Sequence, residues 1–391
     1  MFSPRLPAHL ESNALARALD RARSAGRTLI DLTISNPTQA GVTYRAEMFQ
    51  ALSNPVVSRY VPEPFGLRSA REAVATEYVR RGVPISWNCV VLTTSTSEGY
   101  SLLFKLLCAP CGDSVLVPTP SYPLFEHLTA LDGVSARAYR LDYRGRWWLD
   151  SASVDEVWDA RTKAVLAVSP NNPTGSILTA GELAALGALC ATRGAALILD
   201  EVFADYVLDS SVSLPPVGED QPAGGALTFR LGGLSKSAAL PQVKLGWIAV
   251  EGPEHLVGEA LERLELICDT YLSVSTPVQI AAPDLIAAGV DARAQVIERI
   301  RLNYDQLRRA ALLHPAIEVL NAEAGWSAVV RIPSRGTEEQ FVLDLLERDG
   351  VVVHPGFFFD FPREAYLIVS LLPEPDQFRA GIWRMLERAD G

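Results

Sequence analysis

The chain has 391 residues, a formal net charge of −11 and nearly half its residues apolar, enough to bury more than one hydrophobic core. The acidic balance, without a basic stripe or an aromatic-studded basic segment, argues against a nucleic-acid footprint. No apolar run reaches the length of a membrane span, and the start, MFSPRLPAHLESNALARAL, lacks the continuous apolar stretch of a secretory signal, so a cytoplasmic location is expected.

In chain order, residues 8–24 read as an amphipathic helix with Leu10, Leu15 and Leu19 along one side. Leu29 to Ile34 reads as a strand ending in the turn Ser35-Asn36-Pro37-Thr38. The loop Arg59 to Gly66, with two prolines and a glycine, precedes a helix over about 68–81. From Cys89 the pattern changes to short apolar strands separated by helices: Val90–Thr93, Ser114–Val117, Ala164–Val168, Ala196–Leu199, Leu227–Leu231 and Leu245–Val250. Helices are expected through Leu107 and over about 180–193. Strands of this kind are buried on both faces and form a largely parallel sheet. The remainder reads as helical to about Leu313, broken near Pro277 and Pro283. It then becomes α+β, with strands near 327–332, 351–354 and 366–371.

The expected fold is therefore α/β, with a mostly parallel seven-stranded sheet covered by helices in a large domain, residues 46–280. A smaller α+β domain is expected from both chain ends, residues 1–45 and 281–391. Five scattered cysteines, at 89, 108, 111, 190 and 268, suggest a reducing compartment. The pair Cys108 and Cys111 follows a helix-like run instead of opening one, so no dipole activates it. No second pair completes a zinc site, and no metal is expected.

Ligands of open parallel sheets bind beyond the carboxyl ends of the strands. The unusual residues of this chain lie there: Ser95 to Ser97, Tyr122, Asn172, Asp200 and Lys236. Lysine is scarce, four residues (105, 163, 236 and 244) among 35 basic ones. A guanidinium can serve surface charge, but only a deprotonatable amine attacks a carbonyl carbon. Lys236 follows Gly232-Gly233-Leu234-Ser235, where backbone can approach a ligand closely, and is the candidate for covalent catalysis. Thr94 to Ser97 opens a helix, so the amides of Thr96 and Ser97 can face an anion.

Taken together, SPNNPTG (169–175), DEVF (200–203) and GLSK (233–236) resemble the pyridoxal-phosphate enzymes of fold type I, specifically the class I/II aminotransferases, from about Leu29 to Leu371. The resemblance implies that Lys236 holds pyridoxal 5'-phosphate as an internal aldimine and then shuttles a proton at Cα. It implies that Asp200 pairs with the pyridinium nitrogen, Asn172 donates to the phenolic oxygen and Tyr122 stacks on the ring. Ser95, Thr96, Ser97, Ser235 and Lys244 would hold the phosphate. Tyr60 would reach a neighbouring subunit's site, which implies a homodimer with shared sites. Ile34, Ser35, Asn36 and Arg363 are the expected substrate contacts. The implied reaction moves an amino group between an amino acid or amine and a keto acid.

Three positions depart from the family's pattern. Lys244 stands where arginine is usual, and keeps the charge without the bidentate fork. Phe203 stands where a tyrosine usually donates to the phenolic oxygen, so the imine on Lys236 is expected to be more protonated at neutral pH than is typical. Ile368 stands where an arginine usually clamps the substrate carboxylate, leaving Arg363 or Arg331 as substitutes. That last departure keeps open another reaction at Cα, by a lyase, cyclase, oxidase or decarboxylase. A regulatory cofactor-binding module is disfavoured, since no DNA-binding segment is appended.

Overall fold

The computed structural model describes residues 2–7, 11–209, 222–363 and 365–391. Apolar strands from the middle of the chain assemble into one mixed sheet of eight strands. They are β1 (Val90–Thr93), β2 (Ser114–Thr119), β3 (Ser135–Tyr143), β4 (Trp147–Leu149), β5 (Thr162–Val168), β6 (Ala196–Asp200), β7 (Thr228–Gly233) and β8 (Gly246–Glu251). Their spatial order is β1-β8-β7-β6-β5-β2-β3-β4. The run from β7 to β3 is parallel, while β8 lies antiparallel to both its neighbours and β4 to β3.

The count corrects the seven strands expected. The sheet has one strand more than that; the edge hairpin of β3 and β4 joins the six strands named from the sequence, and the β3 sequence SARAYRLDY carries polar and half-exposed residues that give no continuous apolar run. By contrast, β6 is buried at every position, and β5 at all but one. One face of this sheet packs Leu166, Val168, Ile198, Phe229 and Leu231 against Leu103, Phe104 and Phe125. The other packs Val165, Ala167, Leu197 and Leu199 against Leu183, Leu186 and Cys190.

The chain ends share a further core, in which Leu15, Ala18, Ala22 and Leu32 meet Val330, Val352, Leu367, Phe378 and Leu386. Its four-stranded antiparallel sheet runs Glu318–Val319, Ser327–Arg331, Tyr366–Ser370 and His354–Pro355. The N-terminal helix spans Ala14–Ser24, capped by the Asn13 side chain on the Ala16 amide, and is shorter than expected. Leu10 lies outside the described residues. The strand expected over Leu29 to Ile34 is reduced to Ile30–Asp31, paired in parallel with Val351–Val352.

The break expected near Pro277 is present, for one helix ends at Tyr271 and the next starts at Thr276, but the break expected near Pro283 does not occur, since that second helix runs on to Ala311. Pro277 sits in the first turn, where a missing N–H costs nothing, and Pro283 removes a single bond of a long, heavily packed helix. Ala281, Leu285 and Ile286 of its first half pack near β1 and β8. Val296, Ile300, Tyr304 and Leu307 of its second half enter the core built from the chain ends.

Candidate active site

The carboxyl ends of β5, β6 and β7 open into a cavity of about 370 Å³, within the range that holds small-molecule ligands. Its walls include Ser95, Thr96, Ser97, Tyr122, Asn172, Asp200, Ser235, Lys236 and Lys244, so nine of the expected site residues converge. Ser35 also reaches it, whereas Ile34, Asn36, Tyr60 and Arg363 are not among its wall residues. A larger hollow of about 690 Å³ between Thr43–Met48 and the helix bearing Asp291 is open surface with no such convergence.

Asp200 ends β6 on the face that carries Ile198 and is buried, with 7% exposure. Tyr100 Oη donates to its Oδ2 at 2.6 Å and the Val202 amide donates to its Oδ1 at 3.0 Å. Burial raises the carboxyl pKa, and these two donors and the nearby Lys236 work against that rise.

Lys236 lies in a single helical turn, Leu234–Ser237, directly after β7. Its backbone carbonyl accepts a hydrogen bond from the Tyr206 hydroxyl, and Tyr44 Oη donates to the Ala239 carbonyl at 2.6 Å. The ammonium nitrogen lies 4.6 Å from the Trp326 ring centre and 5.4 Å from that of Phe203. No carboxylate or carbonyl among the described residues accepts a hydrogen bond from it. Burial lowers its pKa to about 8, against the attraction of Asp200. An amine that sheds its proton near pH 8 is a competent nucleophile at neutral pH.

Another end of the cavity is built at the start of the helix Thr96–Leu107. Ser95 caps it by accepting the Glu98 amide at 3.2 Å, and the Glu98 carboxylate takes the hydroxyl of Thr94 at 2.9 Å. The Thr96 and Ser97 amides have no acceptor in the helix and stand at its positive end. Lys244, at φ 60°, brings a cation beside them. Gly246 on β8 makes this packing possible. A Cβ there would lie 2.9 Å from the Ser95 carbonyl carbon and 3.0 Å from both Thr93 Oγ1 and the Thr96 nitrogen.

Asn171 and Asn172 divide their work. Asn171 is buried and bonded to Ser121 and Thr174, as a structural residue. The Asn172 amide group faces the cavity without a hydrogen-bond partner among the described residues. An amine, a buried carboxylate and an anion cradle on one cavity fit a phosphorylated aromatic aldehyde such as pyridoxal 5'-phosphate.

Ile368 is 2% exposed and packs with Trp147, Val329, Phe359 and Phe361. Arg331 is paired with Glu318 on the surface, and Arg363 is exposed. Among the described wall residues the only cations are Lys236 and Lys244. Sequence reasoning missed Tyr100, hidden in the apolar helical run GYSLLF, and Trp326 and Ser327, which arrive from the other core. Ser370 was not among the expected site residues, yet it lines the cavity and donates its hydroxyl to the Ile34 carbonyl at 2.5 Å. The spacing of Tyr100 from Thr96, one helical turn on the same face, was the signal available.

Comparison with known proteins supports the same reading. The sequence profile of the family described as aminotransferase class I and II matches residues 27–376. Alanine aminotransferase of Mycobacterium tuberculosis is 27% identical over 387 residues, covering 93% of this chain and 86% of its own. Glutamate-pyruvate aminotransferase AlaA of Haemophilus influenzae is 25% identical over 376 residues, covering 93% and 91%. The solved structure of an alanine aminotransferase from Pyrococcus furiosus has the same fold, with a TM-score of 0.89 at 22% identity and 99% of both chains covered. These likenesses favour transamination over the lyase, cyclase, oxidase and decarboxylase alternatives. With the profile spanning nearly the whole chain, the protein belongs to the class I and II aminotransferases and is a pyridoxal-phosphate-dependent transaminase.

Proposed function

We propose that Lys236 is the residue that holds the cofactor, and that Asp200 is its electrostatic partner across the ring. The observation that carries this reading is that both side chains face one cavity at the strand ends. When bound, pyridoxal 5'-phosphate supplies an aldehyde for amines and a ring that withdraws electrons from a substrate carbon. Lys236 is the residue that would hold that aldehyde, and its side-chain nitrogen would carry a proton to and from the substrate carbon. Asp200 keeps the ring nitrogen protonated by offering a fixed negative charge. Asn172 would donate to the phenolic oxygen, Tyr122 would cover the ring, and Ser95, Thr96, Ser97, Ser235 and Lys244 would hold the phosphate.

The substrates proposed are a small amino acid, such as alanine or glutamate, and a keto acid such as pyruvate. The names of the relatives in Mycobacterium tuberculosis and Haemophilus influenzae support that choice. Ile34, Ser35 and Asn36 are assigned to the substrate side of the site, with Ser35 on the cavity wall, and Arg363, outside that wall, is assigned to the substrate carboxylate. The Ile34 loop is tied to the strand Tyr366–Ser370 through Ser370, which supports its placement there.

Tyr60 is 69% exposed, beside exposed Val56 and Val61, and we assign it to the site of a second copy in a homodimer. The cytoplasm is the proposed location; no described helix is long and apolar enough to cross a membrane. The division into residues 46–280 and the two chain ends is also proposed, with the change of packing inside the helix Thr276–Ala311 as support.

The test mixes purified holoprotein with L-alanine, L-glutamate and L-aspartate separately and follows the cofactor absorbance. Conversion to the amine form, reversed by pyruvate, is expected for at least one donor. A cofactor spectrum unchanged by every donor would overturn the reading. Mixing Tyr60→Ala with Lys236→Ala chains should restore part of the activity if sites are shared, and none if they are not.

A further inference from the structure

We propose that Tyr100 is a positioning residue for Asp200, which it locks in orientation and ties to the anion cradle through one helix. The inference rests on the reading of Asp200 given above. Tyr100 is 3% exposed, lines the cavity and lies in the helix Thr96–Leu107. Its hydroxyl takes one oxygen of Asp200 at 2.6 Å while the Val202 amide takes the other at 3.0 Å. With one fixed donor on each oxygen, the carboxylate plane has no freedom to rotate.

The phenol ring is itself wedged, edge-on to Phe125 at 5.5 Å and beside Phe104 at 6.2 Å. The Thr96 amide and the Tyr100 side chain are one turn apart on this helix, so they share a face. A single rigid element therefore sets the spacing between the phosphate end of the site and the carboxylate. No loop intervenes in that link.

The charges around Asp200 define what the bond does. Burial is the largest influence and favours the neutral acid, with Glu201 adding to it. The Tyr100 hydroxyl, the Val202 amide and Lys236 favour the carboxylate. Burial and Asp200 itself hold the Tyr100 hydroxyl well above its usual pKa, so it stays a donor. Without that donor the carboxylate keeps its burial and loses a short charge-assisted bond.

The test titrates pyridoxal 5'-phosphate into four apoproteins: wild type, Tyr100→Phe, Asp200→Ala and the double variant. Binding is read by fluorescence quenching between pH 5 and 8.5. Phenylalanine preserves the ring packing, and thermal unfolding checks that all four fold. Tyr100→Phe is expected to bind about tenfold more weakly, the size of one charge-assisted bond. The acid limb of its binding profile should move to higher pH, because Asp200 then protonates more readily. Asp200→Ala should weaken binding and remove that limb, and the double variant should bind no worse than Asp200→Ala alone. Additive losses, or a Tyr100→Phe profile identical to wild type beside a weakened Asp200→Ala, would overturn this inference alone. Wild-type binding by Asp200→Ala would overturn the reading of Asp200 and this inference with it.

Discussion

Asp200 and Glu201 are consecutive carboxylates at the end of one strand, yet they serve opposite sides of the sheet. Alternation along β6 turns Asp200 to the cavity and Glu201 to the far face. There Glu201 meets Arg230 at 2.5 Å and Arg81 at 3.1 Å, while Arg230 also meets Glu251 at 2.8 Å. The Arg230 side chain is only 2% exposed, and in that cluster charge is matched by charge, although Arg81 Nε, Arg230 Nη2 and Glu201 Oε2 make no hydrogen bond. The cavity side is built the other way. One buried carboxylate, two amines and several part-exposed donors line open space there, and no ion pair joins them among the described residues. The difference separates an acid locked among guanidinium groups from an acid turned to a cavity.

Four measurements would break or sharpen that contrast. The largest effect is expected for Lys236→Ala, which should lose about 10⁴-fold or more of transamination and all covalent cofactor attachment. Borohydride reduction followed by mass spectrometry reads the attachment, and thermal unfolding should show an intact fold.

On the far face, Arg230→Met strands Glu251 and leaves Glu201 with Arg81 alone, and should cost about 3–5 kcal/mol of stability. Denaturant unfolding measures this, while the activity per folded molecule and its pH profile should stay as in wild type. A moved pH profile would show that the two faces are not insulated.

Asp200→Asn keeps the shape and removes the charge. It should lower kcat by about 10²–10³-fold with little change in unfolding midpoint.

The smallest effect is one of pH. Because burial lowers the Lys236 pKa to about 8, the reactive neutral amine grows about tenfold per pH unit below that value and levels above it. Stopped-flow capture of cofactor by apoprotein should rise with pH on this course. A capture rate still rising steeply beyond pH 9 would place the amine at an ordinary lysine pKa.

Much of this was legible in the sequence because the strands that carry the site are buried on both faces, and continuous apolar runs announce them. The strand ends then gave Asn172, Asp200 and Lys236 by position alone, and the scarcity of lysine sharpened the last. The β3–β4 hairpin was illegible because an edge strand needs no apolar continuity. The helix Thr276–Ala311 was read as broken because proline is a local signal, while the packing that overrides it is tertiary. Tyr100 and Trp326 were missed for a related reason. An aromatic inside an apolar run looks like core filling until the structure shows a carboxylate or an amine beside it.

The bond between Ser370 and the Ile34 carbonyl joins partners 336 positions apart, and Ser35 beside it faces the cavity. Ribosomes deliver a chain from its amino end, so the loop at Ser35 must wait for the strand Tyr366–Ser370 before it can be seated. The large sheet can finish early in synthesis, but the mouth of the pocket cannot. Shortening the carboxyl end past residue 370 should therefore leave a nascent enzyme with its lysine in place and its entrance unformed.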